Sequence, residues 1–234
     1  MTDVHGAHDG RRGLARLSGG PRQEPERLLF LSDGVFAIAM TLLIIDVIAA
    51  GTAATGDERL LHHLLSEWPA FAAYVAGFLT IMVCWVNHHR VFHYVARTDS
   101  GLPWVNGFML LLVAAVPLPT AILAKYATSE DDQRTAFVLY GITCLLMDIA
   151  LWWLCSYTLR RGLAEPSRDP DRHHGMMWVY RVGLVWTVLA VVAVFVSVYL
   201  AIAMWAVMFL VYAFPAELAH ALHLGATRRA RPAS

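Results

Sequence analysis

Long apolar segments are the feature that most constrains how this chain can fold. Segments of membrane-crossing length occupy residues 28–50, 70–92, 102–124 and 136–159, and a fifth run, 176–219, is nearly double that length. A helix of about 20 apolar residues crosses a hydrocarbon core about 30 Å thick. The composition, 58% hydrophobic and 15% charged, also departs from soluble domains, which are about a quarter charged. The sequence therefore predicts an all-α integral membrane protein.

The positions of the basic residues predict how many times the chain crosses the membrane. Cytoplasmic loops are enriched in Arg and Lys. Basic residues concentrate in four stretches, 11–27, 90–97, 160–181 and 228–231. On the opposite side, only Arg59, Lys125 and Arg134 would be found. If the four basic stretches are cytoplasmic, the long last run must cross twice, with a tight turn near Tyr199. We therefore expect six transmembrane helices with both termini in the cytoplasm.

The predicted segmentation follows from these assignments. Residues 1–26 are expected to form a flexible cytoplasmic tail, 27–224 the six-helix transmembrane domain, and 225–234 a basic cytoplasmic tail. The spans are expected at about 28–50, 70–92, 102–124, 136–159, 177–198 and 200–219. Pro117 and Pro119 predict a kink in the third span, because proline removes a helix hydrogen bond. The connection 51–67, which contains His62 and His63, has the length for a short surface helix.

The first span has two chemically different faces. At about 100° per residue, Arg27 and a series of apolar side chains after it lie on one face of the helix. Its apolar members, which we call the apolar stripe, are Leu31, Ile38, Leu42 and Ile45. Thr41 flanks this stripe, whereas Asp33 lies about 140° from Ile38 and so near the opposite face. We therefore expect the carboxylate to point into the protein.

The second span offers partners for Asp33 at the same predicted depth. Trp85, His88 and His89 lie near its cytoplasmic end and share one helix face. An indole N–H and imidazole nitrogens can hydrogen-bond a carboxylate and so lower the cost of its burial. Two interpretations of this cluster remain open, a structural one and a gating or proton-sensing one.

The other polar groups within the spans carry weaker signals. An acidic residue at membrane depth is a functional candidate, but Asp46, Asp148 and Glu217 can equally be hydrogen-bonded internally or lie at the headgroup boundary. His89 and His93 have the i, i+4 spacing of a metal pair, yet no HExxH motif accompanies them. We therefore expect neither a metal site nor a cofactor.

Two motifs carry a resemblance to a known family. The first reads Arg27-x-x-x-Leu31-Ser32-Asp33-x-Val35-Phe36-Ala37-Ile38-x-x-Thr41-Leu42-Leu43, and the second reads Trp85-x-Asn87-His88-His89. Together they resemble the endolysosomal potassium channel family called transmembrane protein 175, and more closely its prokaryotic members. The family has Phe-Ser-Asp where this chain has Leu31-Ser32-Asp33.

The resemblance implies an assembly and a role for each motif. Its bacterial members are homotetramers in which the first helix of each subunit lines a central pore without a P-loop selectivity filter. Carried over by position, Ile38 forms the narrowest constriction, Leu42 and Ile45 form further apolar rings, and Thr41 supplies a hydroxyl layer. The internal network that holds the pore helices would comprise Arg27, Ser32, Asp33, Trp85, His88 and His89. A ring of apolar side chains can gate a pore by excluding water.

The expected function is a potassium-permeable, weakly selective, leak-like cation channel in a bacterial plasma membrane, and not an enzyme. Its expected partners are other copies of the chain, the lipid bilayer and monovalent cations, with no nucleic acid. The alternative is a secondary transporter or proton-coupled carrier that uses Asp33, His88 and His89 as a relay. A haem-binding electron carrier is a third possibility, although the third and fourth spans contain no histidine.

Overall fold

A computed structural model describes residues 23–52, 60–165 and 170–213 of the protein. Within these ranges the regular elements are α-helices. One isolated antiparallel bridge also pairs Val95 with Ala164. We number the helices α1 Gln23–Leu42, α2 Ile44–Thr52, α3 Leu60–Ser66, α4 Trp68–His93, α5 Leu102–Ala115, α6 Pro117–Tyr126, α7 Gln133–Arg160, α8 Pro170–Ala193 and α9 Val198–Ala213.

Four helical segments are long and apolar enough to cross a membrane. They are Pro25–Thr52, Trp68–His93, Leu102–Tyr126 and Gln133–Arg160. The apolar helices Met177–Ala193 and Val198–Leu210 are shorter. The prediction of an all-helical membrane protein is thus confirmed for the described residues. The count of six spans stays a prediction, because the expected end of the sixth span, most of the N-terminal tail and the whole C-terminal tail lie outside those residues.

Two of the long segments are interrupted, each near a residue that perturbs helical hydrogen bonding. The segment formed by α5 and α6 breaks at Val116, because Pro117 has no N–H to donate. The segment formed by α1 and α2 breaks at Leu43. Two residues earlier, the Thr41 hydroxyl donates to the Ile38 carbonyl at 2.8 Å, and such side-chain bonds to the preceding turn often bend helices.

The turn between α8 and α9 differs from the sequence-based prediction. It occupies residues 194–197, so Tyr199 lies inside α9 instead of in the turn. The apolar run from 176 to 219 has no charged residue near this point, and hydropathy therefore could not locate the turn. Ser197 is the nearest polar residue, and its N–H donates to the Ala193 carbonyl at 2.8 Å.

The first helix packs against α4 and α5, and this contact contributes to the larger of two apolar cores. That core includes Phe36 of α1, Ile81 of α4, Met109 of α5 and Leu154 of α7, all fully buried. The second core lies among α6, α7, α8 and α9 and includes Trp205. The Trp205 ring stacks on that of Phe137, with 6.1 Å between the ring centroids. The pore-helix candidate α1 therefore rests on the larger core.

The short helix α3 closes the connection after the first span. His63, which is buried, donates its Nε2–H to the carbonyl oxygen of Ala50 at 3.0 Å, and so ties α3 to the end of α2. His62 is exposed. The sequence alone assigned no role to either histidine, and the bond to Ala50 gives His63 a structural one.

The connections after α4 and after α7 contact each other at one end of the bundle. Gly162, with φ 62°, ends α7, and the Leu163 N–H donates to the Thr158 carbonyl at 3.0 Å, as in a Schellman motif. The Ala96 N–H then donates to the Leu163 carbonyl at 2.9 Å. Both connections belong to the stretches in which basic residues concentrate, so these stretches lie on the same side of the bundle.

Asp99 fastens this end of the bundle. It accepts hydrogen bonds from the Leu102 N–H at 2.9 Å and the Gly101 N–H at 3.1 Å, at the start of α5, and from the Tyr157 hydroxyl at 2.8 Å. Desolvation by itself would raise the pKa of Asp99, but these bonds and the charge of Arg161 hold the pKa below its usual value. The carboxylate thus links α5 to α7.

Candidate functional site

The apolar stripe lies on the surface of the subunit. Ile38 is 61% exposed and Ile45 56% exposed, and Leu31 and Leu42 are exposed as well. The opposite face of the same segment is buried, at Phe36, Ala39, Leu43 and Val47. The helix therefore presents an apolar face that the subunit does not cover with its own described residues.

Thr41 lies beside the stripe and is exposed. Because its hydroxyl hydrogen is donated to the Ile38 carbonyl, the oxygen keeps lone pairs for another partner. The exposed side of α1 thus combines apolar side chains with the hydroxyl oxygen of Thr41.

Asp33 lies on the other side of α1 and is partly buried. Its Oδ1 accepts the indole N–H of Trp85, from α4, at 2.8 Å. Among the described residues this is the hydrogen-bond partner of Asp33, and neither His88 nor His89 takes that place. The bond ties α1 to α4.

A second set of hydrogen bonds runs from α4 through α5 to α1. His88 Nε2 lies 2.8 Å from Asn106 Oδ1, and Asn106 Nδ2 donates to Ser32 Oγ at 2.9 Å. Ser32 Oγ in turn donates to the Leu28 carbonyl at 2.8 Å. Because Asn106 Oδ1 can only accept, this pattern assigns the hydrogen to His88 Nε2.

The three side chains linked by this series of hydrogen bonds, Ser32, His88 and Asn106, are fully excluded from solvent, with 0% exposure each. The His88 ring is further enclosed by Phe36, at 5.3 Å between ring centroids, and by Phe92, at 4.6 Å. We call this set, together with the bond between Asp33 and Trp85, the polar anchor; it comprises Ser32, Asp33, Trp85, His88 and Asn106. It fixes the buried face of α1 against α4 and α5.

The structure does not bring all predicted network residues together. His89 is exposed, and its ring lies beside that of Trp85 at 5.6 Å. Arg27 is exposed and lines a groove of about 640 Å³ with Leu31, Asp99 and Ser100. Within the described residues, Arg27 forms no hydrogen bond with Ser32 or Asp33.

Asn106 is the anchor residue that the sequence-based prediction missed. Its signal was present, because it is the one amide side chain in the apolar segment 102–124. A polar group at membrane depth requires an internal partner. The partner on a third helix could not be identified from the two motifs, which cover only the first and second spans.

The remaining acidic candidates are separated from the anchor. Asp46 is partly buried in α2, and Asp148, in α7, lies within hydrogen-bond distance of Thr187, with 2.6 Å between Oδ2 and Oγ1. Glu217 lies outside the described residues. The site therefore consists of one helix with an exposed apolar face and a polar anchor behind it.

Comparison with known proteins supports one family. The family model described as Endosomal/lysosomal potassium channel TMEM175 matches residues 27–117. This range holds α1 from Arg27 onward, all of α4, the apolar stripe and all five residues of the polar anchor.

Named relatives match over most of the chain. A potassium channel of Streptomyces collinus is 40% identical over 195 residues, which cover 82% of this chain and 92% of that protein. A potassium channel of Chamaesiphon minutus is 37% identical over 184 residues. The human protein named Endosomal/lysosomal proton channel TMEM175 is 30% identical over 114 residues, or 23% of its own length.

A solved structure agrees with these matches. The crystal structure described as a lysosomal potassium-selective channel TMEM175 homolog from Chamaesiphon minutus superposes with a TM-score of 0.68 at 33% identity. The superposition covers 82% of this chain and 98% of the chain in the crystal structure. On the extent and identity of these matches, the chain belongs to the TMEM175 family.

Proposed function

We propose that the protein is a subunit of a homotetrameric, potassium-permeable and weakly selective leak channel. In this proposal the first helix of each subunit lines the pore and Ile38 forms a hydrophobic constriction. The observation that carries the proposal is the exposed apolar stripe on a helix whose opposite face is buried and anchored. Two bacterial relatives named potassium channels support the choice of ion.

Four copies of the stripe around a symmetry axis would form successive narrow rings of Ile38, Leu42 and Ile45. Such rings exclude water when narrow, and this exclusion stops ion flow without any moving plug. The stripe has the exposure this arrangement requires, because nothing in the described part of the subunit covers Ile38 or Ile45.

Weak selectivity would follow from the chemistry beside the stripe. The Thr41 oxygen has lone pairs available and can replace part of a cation's hydration shell near the constriction. A hydroxyl layer of this kind is a weaker discriminator than a cage of backbone carbonyls. It therefore fits a leak-like channel without a P-loop filter.

The polar anchor would hold the constriction in register. Exclusion of water by an apolar ring depends on a pore radius of a few ångströms. The helices that form the ring must therefore be held in place through their buried faces. The bonds of Asp33 to Trp85 and of Ser32 to Asn106 act on the first two turns after Arg27, at one end of the stripe. Displacement of this end would move Ile38 relative to the axis.

We further propose six spans, cytoplasmic termini and a bacterial plasma membrane. Contact between the connections after α4 and α7 supports the shared side of these basic stretches, and the excess of Arg assigns that side to the cytoplasm. The bacterial sources of the relatives that match most of the chain support the membrane.

Replacement of the constriction residue tests the proposal. In liposomes containing Ile38→Asn, cation flux is expected to rise several-fold, because a polar ring hydrates the constriction. The matched control is Ile142→Asn, which makes the same change at an exposed position of α7. Flux is measured with a potassium gradient and a membrane potential alone, so that no counter-substrate can drive it.

Equal flux in Ile38→Asn, Ile142→Asn and the parent would remove Ile38 from the gate. Flux that required an opposing substrate or proton gradient would instead identify a coupled carrier.

A further inference from the structure

A second candidate region lies inside the subunit, away from the apolar stripe. It is a crevice between α4, α7 and α9 with a volume of about 50 Å³. Its lining is mostly apolar and carries three polar side chains, Thr80 and Asn87 of α4 and Asp148 of α7. One water molecule needs about 10–15 Å³ of such volume. The crevice therefore has room for a few water molecules beside a carboxyl group.

Asp148 has few groups to stabilise a negative charge. Its Oδ2 lies 2.6 Å from the Thr187 hydroxyl oxygen of α8. Among the described residues, Thr187 is the hydrogen-bond partner of the Asp148 carboxyl group. The titratable groups that face it are two thiols, Cys84 of α4 and Cys144 of α7. The described residues of α8 and α9 at this point contribute no charged side chain. An ionised carboxylate without a cation partner is costly at membrane depth.

The contacts of Thr187 indicate where the hydrogen atoms lie. Its Oγ1 is 2.6 Å from Asp148 Oδ2, 3.1 Å from the Gly183 carbonyl oxygen and 3.1 Å from Met208 Sδ, which is a weak acceptor. A hydroxyl group has one hydrogen to donate. If Asp148 is protonated, it donates to Thr187, and Thr187 donates to Gly183, so both contacts are hydrogen bonds. If Asp148 is ionised, Thr187 must use its hydrogen on the carboxylate and loses the bond to Gly183.

At one end of the crevice, Asn87 links its lining to a charged residue. Asn87 donates to the Val83 carbonyl at 2.8 Å and accepts a longer bond from Arg90 at 3.5 Å. Arg90 is in the last turn of α4, next to the connection described above. The polar residues thus continue from this end of the bundle toward Asp148.

We propose that this crevice is a proton-binding site within each subunit, in which Asp148 takes up a proton from crevice water and donates it in a hydrogen bond to Thr187. The site is separate from the apolar stripe. Proton binding joins α7 to α8 through a neutral hydrogen bond, and loss of the proton leaves a charge that the surrounding helices do not neutralise.

Infrared spectroscopy of the full chain in lipid tests the site directly. At neutral pH the parent is expected to show the carbonyl stretch of a protonated carboxylic acid, and Asp148→Asn to lack it. Transfer to D₂O should shift this band, because crevice water exchanges the proton. Asp46→Asn, which removes a carboxyl group outside the crevice, should leave the band unchanged.

Two further variants test the hydrogen bond without removing the carboxyl group. Thr187→Val should shift the band to higher wavenumber, because the acceptor is lost, whereas Thr187→Ser should preserve its position. This pair also keeps the test decisive if Asp148→Asn fails to assemble.

The proposal is overturned if the parent and Asp148→Asn differ only in their carboxylate bands, since Asp148 would then be ionised. It is also overturned if Thr187→Val leaves the acid band unshifted. These readouts do not depend on ion flux, so they stand or fall separately from the proposed channel activity.

Discussion

At the scale of single residues, the anchoring of α1 depends on donors that match buried acceptors. The indole N–H of Trp85 serves Asp33, and the amide of Asn106 serves both His88 and Ser32. In an apolar environment a polar group that loses its partner keeps its desolvation cost. Each of these side chains therefore contributes more to stability than its number of contacts suggests.

Replacement of Trp85 by Phe should show this directly. The change keeps an aromatic ring but removes the N–H that Asp33 accepts, so the free energy of unfolding should fall by about 1–3 kcal/mol. Unfolding is measured in detergent micelles by thermal or denaturant titration. Trp104→Phe is the control, because Trp104 is 82% exposed. An equal loss of stability in both variants would show that the ring, and not the hydrogen bond, is what matters.

At the scale of helices, close approach depends on small side chains as much as on hydrogen bonds. A Cβ atom added at Gly77 of α4 would lie 2.8 Å from Thr120 Oγ1 of α6 and 3.2 Å from a methyl group of Leu43. Thr120 cannot rotate freely, because it is buried and its hydroxyl donates to the Val116 carbonyl at 2.9 Å. Gly77 thus sets the distance between α4 and the broken third span.

Gly77→Ala is expected to lower the free energy of unfolding by about 1–3 kcal/mol, the usual cost of overpacking. Gly107→Ala is the matched control, since a Cβ atom there meets nothing within 4 Å, and it should be neutral or stabilising by up to about 1 kcal/mol. Unfolding in detergent measures both. Adding Thr120→Ala to Gly77→Ala should recover part of the loss; no recovery would show that the crowding lies elsewhere.

At the scale of the whole molecule, the proposed pore requires other copies of the chain. The described residues of one subunit leave Ile38 and Ile45 uncovered, and one helix cannot enclose a pore. The proposed function therefore predicts a tetramer in mild detergent. A monomer or dimer under conditions that preserve flux would contradict it.

Asp33→Ala should separate assembly from ion preference. Loss of the carboxylate frees α1 from Trp85, so the tetramer should dissociate at protein concentrations at which the parent stays assembled. The ratio of potassium to sodium flux in the remaining tetramers should change little, because Asp33 lies away from the stripe. Light scattering after size exclusion and flux in liposomes measure the two quantities. Asp131→Ala, an exposed loop change, is the control. Intact tetramers with altered ion preference would instead place Asp33 at the pore.

The sequence by itself determined the fold class, the family and the two faces of the first helix. These properties depend on local quantities: the length of an apolar run, the angular spacing of Ile38, Leu42 and Ile45, and the order of residues in two motifs. Each can be read along one helix without knowing what packs against it. The turn between α8 and α9 escaped the same reading, because an unbroken apolar run contains no polar residue strong enough to mark it.

Only the tertiary structure decided which side chains meet across helices. It paired Asp33 with Trp85 instead of a histidine, brought Asn106 between His88 and Ser32, and left Arg27 and His89 on the surface. It also placed Thr187 of α8 against Asp148 of α7, 39 residues apart in sequence. The physical reason is that a buried polar group needs a partner within about 3 Å in a defined direction. Helix rotation and depth set that distance and direction, and both emerge only when all the apolar faces pack together.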